Sequence, residues 1–411
     1  MDIGLTKKVE NLKNEVRDFI DNEIRPKEDE YFQDVGAAGS RFKFTSKMLS
    51  TINNLKQKAK SKNLWNFWLT DSKDGHGLTT VEYAYLAEEM GKCRLGAEIF
   101  NCSAPDTGNM EVLKRYGSQR HKELWLKPLL NGEIRSAYCM TEPDVASSDA
   151  TNISLKAENH NGHYILNGEK WWISGAGDPR CKVYIVLAKT GNSTENKHGN
   201  HSMFVVPSDT VGIKILRPMQ VYGHDDAPHG HMHISFKDVK VNREDLLLDE
   251  EGKGFEIAQG RLGPGRIHHC MRAIGQAEFA LELMCNRALT RTAFGKKVSE
   301  LGANYDMIAN SRIEIEMARL LCLKAAWMMD NFDPKTAAPW ISKIKVIAPQ
   351  VALKVVDEAI QLYGGMGVSQ DTPLAAAWTH LRTLRLADGP DAVHRRQVAK
   401  AELKKFNKND F

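Results

Sequence analysis

The sequence predicts a multidomain α+β protein: an N-terminal helical domain over residues 1–134, a middle β-barrel domain over 135–249 and a C-terminal four-helix bundle over 250–411. Three observations carry this expectation. Apolar residues recur at three- and four-residue spacing up to about Leu130. From Arg135 to about Asp249 the period changes to two, and from Phe255 helical spacing returns and lasts to the end.

In the first segment, Leu5, Val9, Leu12, Val16, Phe19 and Ile20 form one apolar stripe, expected to end before Arg25-Pro26. A second stripe, Met48, Leu49, Ile52 and Leu55, leads into the aromatic run Trp65-Asn66-Phe67-Trp68, which suits packing against the next domain better than lining an acyl pocket. Thr80 is a candidate cap for a helix that buries Tyr83, Leu86, Ala87 and Met90.

The middle segment contains short strands at Val183–Leu187, Met203–Val206, Ile213–Ile215 and Met232–Phe236, divided by polar or glycine turns, which suggests a small barrel. Tyr164-Ile165-Leu166, the turn Asn167-Gly168 and Glu169–Ser174 read as a hairpin. Neighbouring strand residues face opposite ways, so one of Trp171 and Trp172 is expected in the core, the other free to lie against a planar ligand. His229, His231 and His233 alternate and share a face. With only Asp225 and Asp226 beside them they read as surface imidazoles, and no metal is expected.

The last segment reads as long helices over Arg266–Leu289, Asn304–Asp330, Lys343–Leu362 and Asp391–Phe406. Pro264-Gly265 should start or kink the first of them. The basic tail, Lys400, Lys404, Lys405 and Lys408, reads as a solvated helix face.

Composition limits the function. Apolar residues make up 42% and charged residues 26% of 411 residues, as in ordinary globular proteins, and a net charge of +4 gives no argument for nucleic acid or an anionic membrane as partner. No apolar run reaches membrane-spanning length, and the charged start (Lys7, Lys8, Glu10) lacks the apolar centre of a secretion signal. The seven cysteines are scattered without a Cys-x-x-Cys pair, which suits a reducing compartment, cytoplasm or mitochondrial matrix. Gly175-Ala176-Gly177 and Gly263-Pro264-Gly265 lie outside any strand–helix unit with a downstream acid, so a nicotinamide site is not supported. His268, His269 and Cys270 do not form a nucleophile–base cluster, because consecutive helical residues splay about 100° apart.

The most informative stretch is Ser136–Gly177. It holds AYCMTEP, where proline ends a strand, then a loop of small polar residues over Ala146–Ala150, then NGEKWWISGAG. With RTAFGKKV (Arg291–Val298), QLYGGMGVSQDTPL (Gln361–Leu374) and LRLADGPDAVHR (Leu384–Arg395), these motifs resemble the flavin-facing motifs of the acyl-CoA dehydrogenase family, in the right order and over nearly the whole chain. GPGRIHHC and ADGPD are most similar to a subgroup whose larger members fuse this module to a kinase-like domain, which these 411 residues do not include.

The resemblance implies specific roles. FAD would be held by backbone groups of Tyr138, Met140 and Thr141 and by the Thr141 hydroxyl, with Trp172 over one ring face and Ser174 reaching toward N5. Ser147 and Ser148 would meet the pyrophosphate or the pantetheine of the thioester. Arg291, Phe294, Gln361, Gly364 and Gly365 would reach the FAD of a neighbouring subunit, which implies a dimer or tetramer with a shared cofactor. Arg266 would support the thioester region. Asp388 stands where most of the family has glutamate, followed by Gly389, which lets the backbone come close to the thioester. Some relatives place the base beside Arg266, but that position here is Gly265. Asp388 is therefore the expected base, in an apolar pocket that raises its pKa, with Asp371 as the alternative carboxylate and Asp388 then a helix cap.

The implied reaction is FAD-dependent α,β-desaturation of acyl-CoA to trans-2-enoyl-CoA, 4-hydroxyacyl thioesters being possible substrates, with reoxidation by an electron-transferring flavoprotein. An acyl-CoA oxidase reoxidised by oxygen, and a flavin- or acyl-CoA-binding scaffold without turnover, are the rival readings.

Overall fold

The computed structural model describes residues 1–70 and 73–406, without side-chain placement for Leu262 or Pro264. Lys408 of the basic tail lies outside the described residues. The chain forms two compact units. One is helical and joins Met1–Glu28, Phe67–Ile99 and the chain from Arg266 on; the other joins Asp29–Asn66 to Phe100–Gly265 and carries the large sheet. The helices of residues 1–134 are thus divided between the two.

In the helical unit, α1 (Lys7–Phe19) buries Val9, Val16 and Phe19 and is capped by the Thr6 hydroxyl, which accepts from Val9 N. The chain does not leave the helix before Arg25-Pro26. It passes through a wide turn, Ile20–Ile24, into α2 (Arg25–Gln33). Pro26 has no N–H for the ladder, and a wider turn accommodates that loss. Thr79, not Thr80, caps α4 (Thr80–Gly91; α3 is Ser46–Ser61), in a reciprocal capping box with Glu82.

After α5 (Asp106–Tyr116), the bundle helices are α6 (Gly254–Thr290), α7 (Asn304–Asn331), α8 (Pro334–Tyr363), α9 (Leu374–Leu384) and α10 (Asp391–Leu403). Pro264-Gly265 does not start the first of these, which begins at Gly254. α8 starts at Pro334 rather than Lys343. Pro334 needs no N–H at the first helical position, and the Asp333 carboxylate caps the turn. α9 was not expected; it delivers the chain to the loop that carries Asp388. Glycines let α6 touch α4: a Cβ on Gly275 would stand 2.0 Å from the Glu88 carbonyl oxygen, and one on Gly91 2.2 Å from that of Arg272. The Arg319 guanidinium of α7 clasps both Glu88 carboxylate oxygens at 2.9 and 3.0 Å.

The other unit is built on a seven-stranded sheet. The strands are β1 (Arg135–Cys139), β2 (Lys156–Asn159), β3 (His163–Ser174), β4 (Cys181–Lys189), β5 (His201–Pro207), β6 (Ile213–Pro218) and β7 (His231–Asn242). Their order is β1-β4-β2-β3-β7-β6, with β5 on β4. No pairing closes this path into a complete barrel among the described residues. Tyr164, Leu166, Val186, Phe204 and Ile234 lie in its core.

The expected hairpin at Asn167-Gly168 is absent. That pair lies within the continuous strand β3, at a register shift against β7. The hairpin joins β2 to β3 instead, around Asn161-Gly162, where φ is +48° and +102°. Both Asn-Gly pairs satisfy the local rule. Only Asn161-Gly162 has flanking segments that pair across it, Ala157 with Leu166 and Asn159 with Tyr164.

Candidate active site

The residues expected to face a flavin gather at the end of β1 and at the β3–β7 ladder. Their frame is a buried ion pair that connects the two motifs. Lys170 is fully buried and donates to Glu142 Oε1 at 2.8 Å, to Met140 O at 3.0 Å and to Leu187 O at 2.7 Å. Glu142 also accepts from Ser154 N at 2.7 Å, Ser154 Oγ at 2.6 Å and Leu155 N at 2.8 Å. Burial opposes charge on both partners. Lys170 and these donors outweigh it and hold the Glu142 carboxyl below its ordinary range, while the three acceptors use all three ammonium hydrogens of Lys170. Sequence reasoning missed this pair, although Lys170 shares the inward phase of Tyr164 and Leu166.

The tryptophans correct a second expectation. Trp171 and Trp172 do not face opposite ways. A register shift falls between Lys170 and Ile173, and Trp172 adopts φ +55°. Both indoles are half-buried, and each stands beside an imidazole of β7: Trp171 is 6.3 Å from His233 and Trp172 6.0 Å from His231, centroid to centroid. A bulge resets the alternation that the reading assumed. Trp171 N donates to Thr141 O at 2.9 Å, which ties the end of β1 to this wall. The Ser174 hydroxyl is 2.8 Å from His231 Nδ1, and Glu169 is 2.7 Å from His233 Nε2. No group of three or more metal-ligating side chains occurs among the described residues.

Tyr138, on β1, lies under the Arg261 guanidinium at 3.9 Å. Arg261 in turn donates to Asn109 Oδ1 at 3.2 Å, a cation–π support that sequence reasoning also missed. The Ser147 hydroxyl accepts from Glu142 N at 2.9 Å and so closes the loop after Pro143, while Ser148 is exposed.

The helical unit holds the remaining candidates in two groups. Arg291 precedes a two-stranded hairpin, β8 (Thr292–Ala293) and β9 (Lys296–Lys297), whose tip carries Phe294 at 96% exposure. Gln361, Gly364 and Gly365 end α8, exposed, with open space where a Cβ on either glycine would stand. Tyr363 joins these segments by donating to Leu283 O at 3.2 Å on α6, with Arg287 over its ring.

The second group surrounds Asp388. This half-buried aspartate adopts φ +55°, and Gly389 follows at +102°. A Cβ on Gly389 would stand 2.9 Å from His394 Nε2, so glycine is required for both torsion and space. The Asp388 carbonyl accepts from Arg266 Nε at 3.0 Å and faces His394 Nε2 at 3.2 Å. Asp388 does not cap the next helix: Pro390 takes that place without a side-chain bond, and Asp391 pairs with Arg385. Nor is the surrounding apolar as expected. Lys345, fully buried, donates to Leu384 O at the end of α9, and burial pulls its ammonium pKa down. Burial and the charge of Arg266 push His394 down to about 4, so it is neutral. His269 Nε2 lies 3.6 Å from Asp388 Oδ2. Asp371, the alternative carboxylate, is exposed in a turn. His268 turns to the Tyr83 ring at 4.5 Å, so the residues of the His-His-Cys run diverge as expected.

Residues 6–133, 137–239 and 252–403 match the N-terminal, middle and C-terminal domains of acyl-CoA dehydrogenase, respectively. The chain is 47% identical over 404 residues to Probable acyl-CoA dehydrogenase FadE2 of Mycobacterium tuberculosis, covering 98% of this chain and 97% of that protein. It is 50% identical over 406 residues to Acyl-CoA dehydrogenase family member 10 of Mus musculus, covering 98% of this chain but only 37% of that longer protein. Butyryl-CoA dehydrogenase from Megasphaera elsdenii superposes with a TM-score of 0.81 at 26% identity, covering 98% of this chain and 100% of that one. The chain belongs to the acyl-CoA dehydrogenase family of flavoprotein oxidoreductases.

Proposed function

We propose that this chain is an FAD-dependent acyl-CoA dehydrogenase that forms a trans-2-enoyl thioester, with Asp388 as the base. The observation that carries this reading is the Asp388 loop itself. A non-glycine residue is held in a left-handed conformation by Arg266 and His394 on its carbonyl oxygen, and its carboxylate does not cap the helix that follows. Such strain, roughly 1–3 kcal/mol, persists where the surrounding structure holds it, and it concentrates at functional sites.

The donors and surfaces present fit FAD. The half-buried indoles of Trp171 and Trp172 form an aromatic wall beside the end of β1, where the backbone of Tyr138, Met140 and Thr141 would meet the ring edge. The exposed Phe294 and the open glycines Gly364 and Gly365 suit close approach by a large ligand held with a neighbouring subunit, together with Arg291 and Gln361. Exposed Ile313, Met317 and Leu320 on one stripe of α7 also favour an oligomer. Bound FAD would supply the acceptor for the β-hydrogen as hydride.

The chain's own residues do the rest. Asp388 takes the α-proton, and the Gly389 N–H beside it would donate to the thioester oxygen as that oxygen gains charge. Ser147 keeps the loop after Pro143 closed, and Arg266 holds the base loop. Purified protein should be yellow, and anaerobic acyl-CoA should bleach it. Rapid reoxidation of the bleached protein by air would favour the oxidase reading, and no bleaching with any acyl-CoA would favour a scaffold. The expected acceptor is an electron-transferring flavoprotein.

A further inference from the structure

His269 lies one helical turn beyond Arg266 and has no part in the reading above. Its two ring nitrogens meet different partners. Nε2 stands 3.6 Å from Asp388 Oδ2, and Nδ1 stands 3.3 Å from Arg272 Nη2. A guanidinium has donors and no acceptor, so Nδ1 must accept. The single proton of a neutral imidazole is then on Nε2, directed at the carboxylate.

We propose that His269, locked by Arg272 as the Nε2–H tautomer, is a positioning residue that holds the Asp388 carboxylate in the rotamer that receives the α-proton. The proposal rests on Asp388 being the base. A carboxylate one methylene shorter than glutamate has less reach, so its orientation matters more. The 3.6 Å separation needs only a small side-chain rotation to become a hydrogen bond, and such bonds often tighten once substrate is present.

The lock is anchored outside the loop. The Arg272 carbonyl lies against Gly91 of α4 so closely that a Cβ there would stand 2.2 Å away, which fixes this turn of α6. The imidazole is also kept neutral. Burial first, then Arg272, pushes His269 down to about 3. The other groups that act on it are His380 on α9 and Lys345 on α8, which also oppose protonation, and Asp388, which favours it. Neutrality matters because an imidazolium would stabilise the carboxylate before reaction and weaken it as a base. A neutral N–H orients it at lower cost.

The test is anaerobic single-turnover flavin reduction by acyl-CoA in the FAD-loaded protein, from pH about 5 to about 9 to span imidazole titration. His269→Leu should slow reduction roughly ten- to a hundredfold with acyl-CoA affinity unchanged, the loss expected for a donor to a charged group. His269→Gln, which keeps an N–H without a titratable ring, should recover most of the rate. Arg272→Leu, which removes both donor and charge, should raise the acid-side ionisation toward the ordinary imidazole value of about 6.5 without reaching it, since burial remains, while Arg272→Lys, still a charged donor, should not. FAD content confirms folding of each variant. Wild-type rate and pH profile in His269→Leu, or no recovery in His269→Gln, would overturn the positioning role. Asp388→Asn separates the two readings: reduction at the wild-type rate there removes the base assignment and this proposal together, whereas an inert Asp388→Asn beside a fully active His269→Leu removes only the proposal.

Discussion

Lys170→Met tests the frame that carries the aromatic wall. The substitution keeps most of the side-chain volume and removes the ammonium. It leaves Glu142, 3% exposed, with a charge opposed only by Ser154 and Leu155, and it takes a donor from Met140 O and Leu187 O. Breaking a buried pair from one side costs about 3–5 kcal/mol, because the remaining charge stays desolvated. For a cooperative unit of 150–250 residues that lowers the melting temperature by roughly 6–20 °C. Lys170→Met/Glu142→Gln removes the orphaned charge and should recover at least half of the loss. Urea unfolding of wild type, both single variants and the double variant supplies the cycle. A single-variant cost below about 1 kcal/mol, or a double variant no more stable than Lys170→Met, would show that the pair is not the frame described here.

Other consequences follow from the same geometry. Stability should fall on acidification in a window set by neutral histidines. His394 is lowered to about 4 and His269 to about 3, so between these values and the unfolded value near 6.5 the unfolded chain binds protons that the folded chain does not. Their contribution is therefore complete above pH about 6.5 and lost below it, about 3 kcal/mol for His394 alone; a flat thermal-melting profile between pH about 6.5 and about 4 would contradict the burial of these rings. Gly389→Ala should destabilise and inactivate together, because alanine resists φ +102° and its Cβ would lie 2.9 Å from His394; a strain of roughly 1–2 kcal/mol is expected from torsion alone, and an unchanged melting temperature would argue against this loop conformation. Trp171→Ala and Trp172→Ala should both alter flavin absorption and fluorescence, since both indoles share the imidazole-lined face. A spectral change from one alone would restore the opposite-face arrangement.

The helical and β segments were legible because their periods differ, and periods follow from burial of one face. The motifs that carry Thr141, Trp172, Asp388 and Gly389 stood out because motif spacing survives without knowledge of tertiary structure, while the roles given to these residues are the proposal above. Features set by tertiary pairing were not legible. The bulge at Trp171-Trp172 arises from pairing with β7, which local alternation does not register. The hairpin turn was misplaced because Asn161-Gly162 and Asn167-Gly168 are locally equivalent, and the choice depends on which one the sheet can pair across. The surroundings of Asp388 were read as apolar because Lys345 sits on a helix remote in sequence, where a lone charged residue normally faces water, and nothing local shows that the buried His394 turns back onto the Asp388 carbonyl. Their burial is a property of the packed bundle.

The central claim is that Asp388 removes the α-proton. Its most direct test is anaerobic stopped-flow reduction of the FAD-loaded protein by acyl-CoA, comparing wild type, Asp388→Asn and Asp371→Asn at equal FAD content. An amide cannot take the proton, so Asp388→Asn should bind acyl-CoA and leave the flavin oxidised, with reduction slowed roughly 10²–10⁴-fold, the order of magnitude of lost base catalysis. Asp371→Asn should reduce at the wild-type rate. Near-normal bleaching in Asp388→Asn, with bleaching lost in Asp371→Asn, would contradict the account.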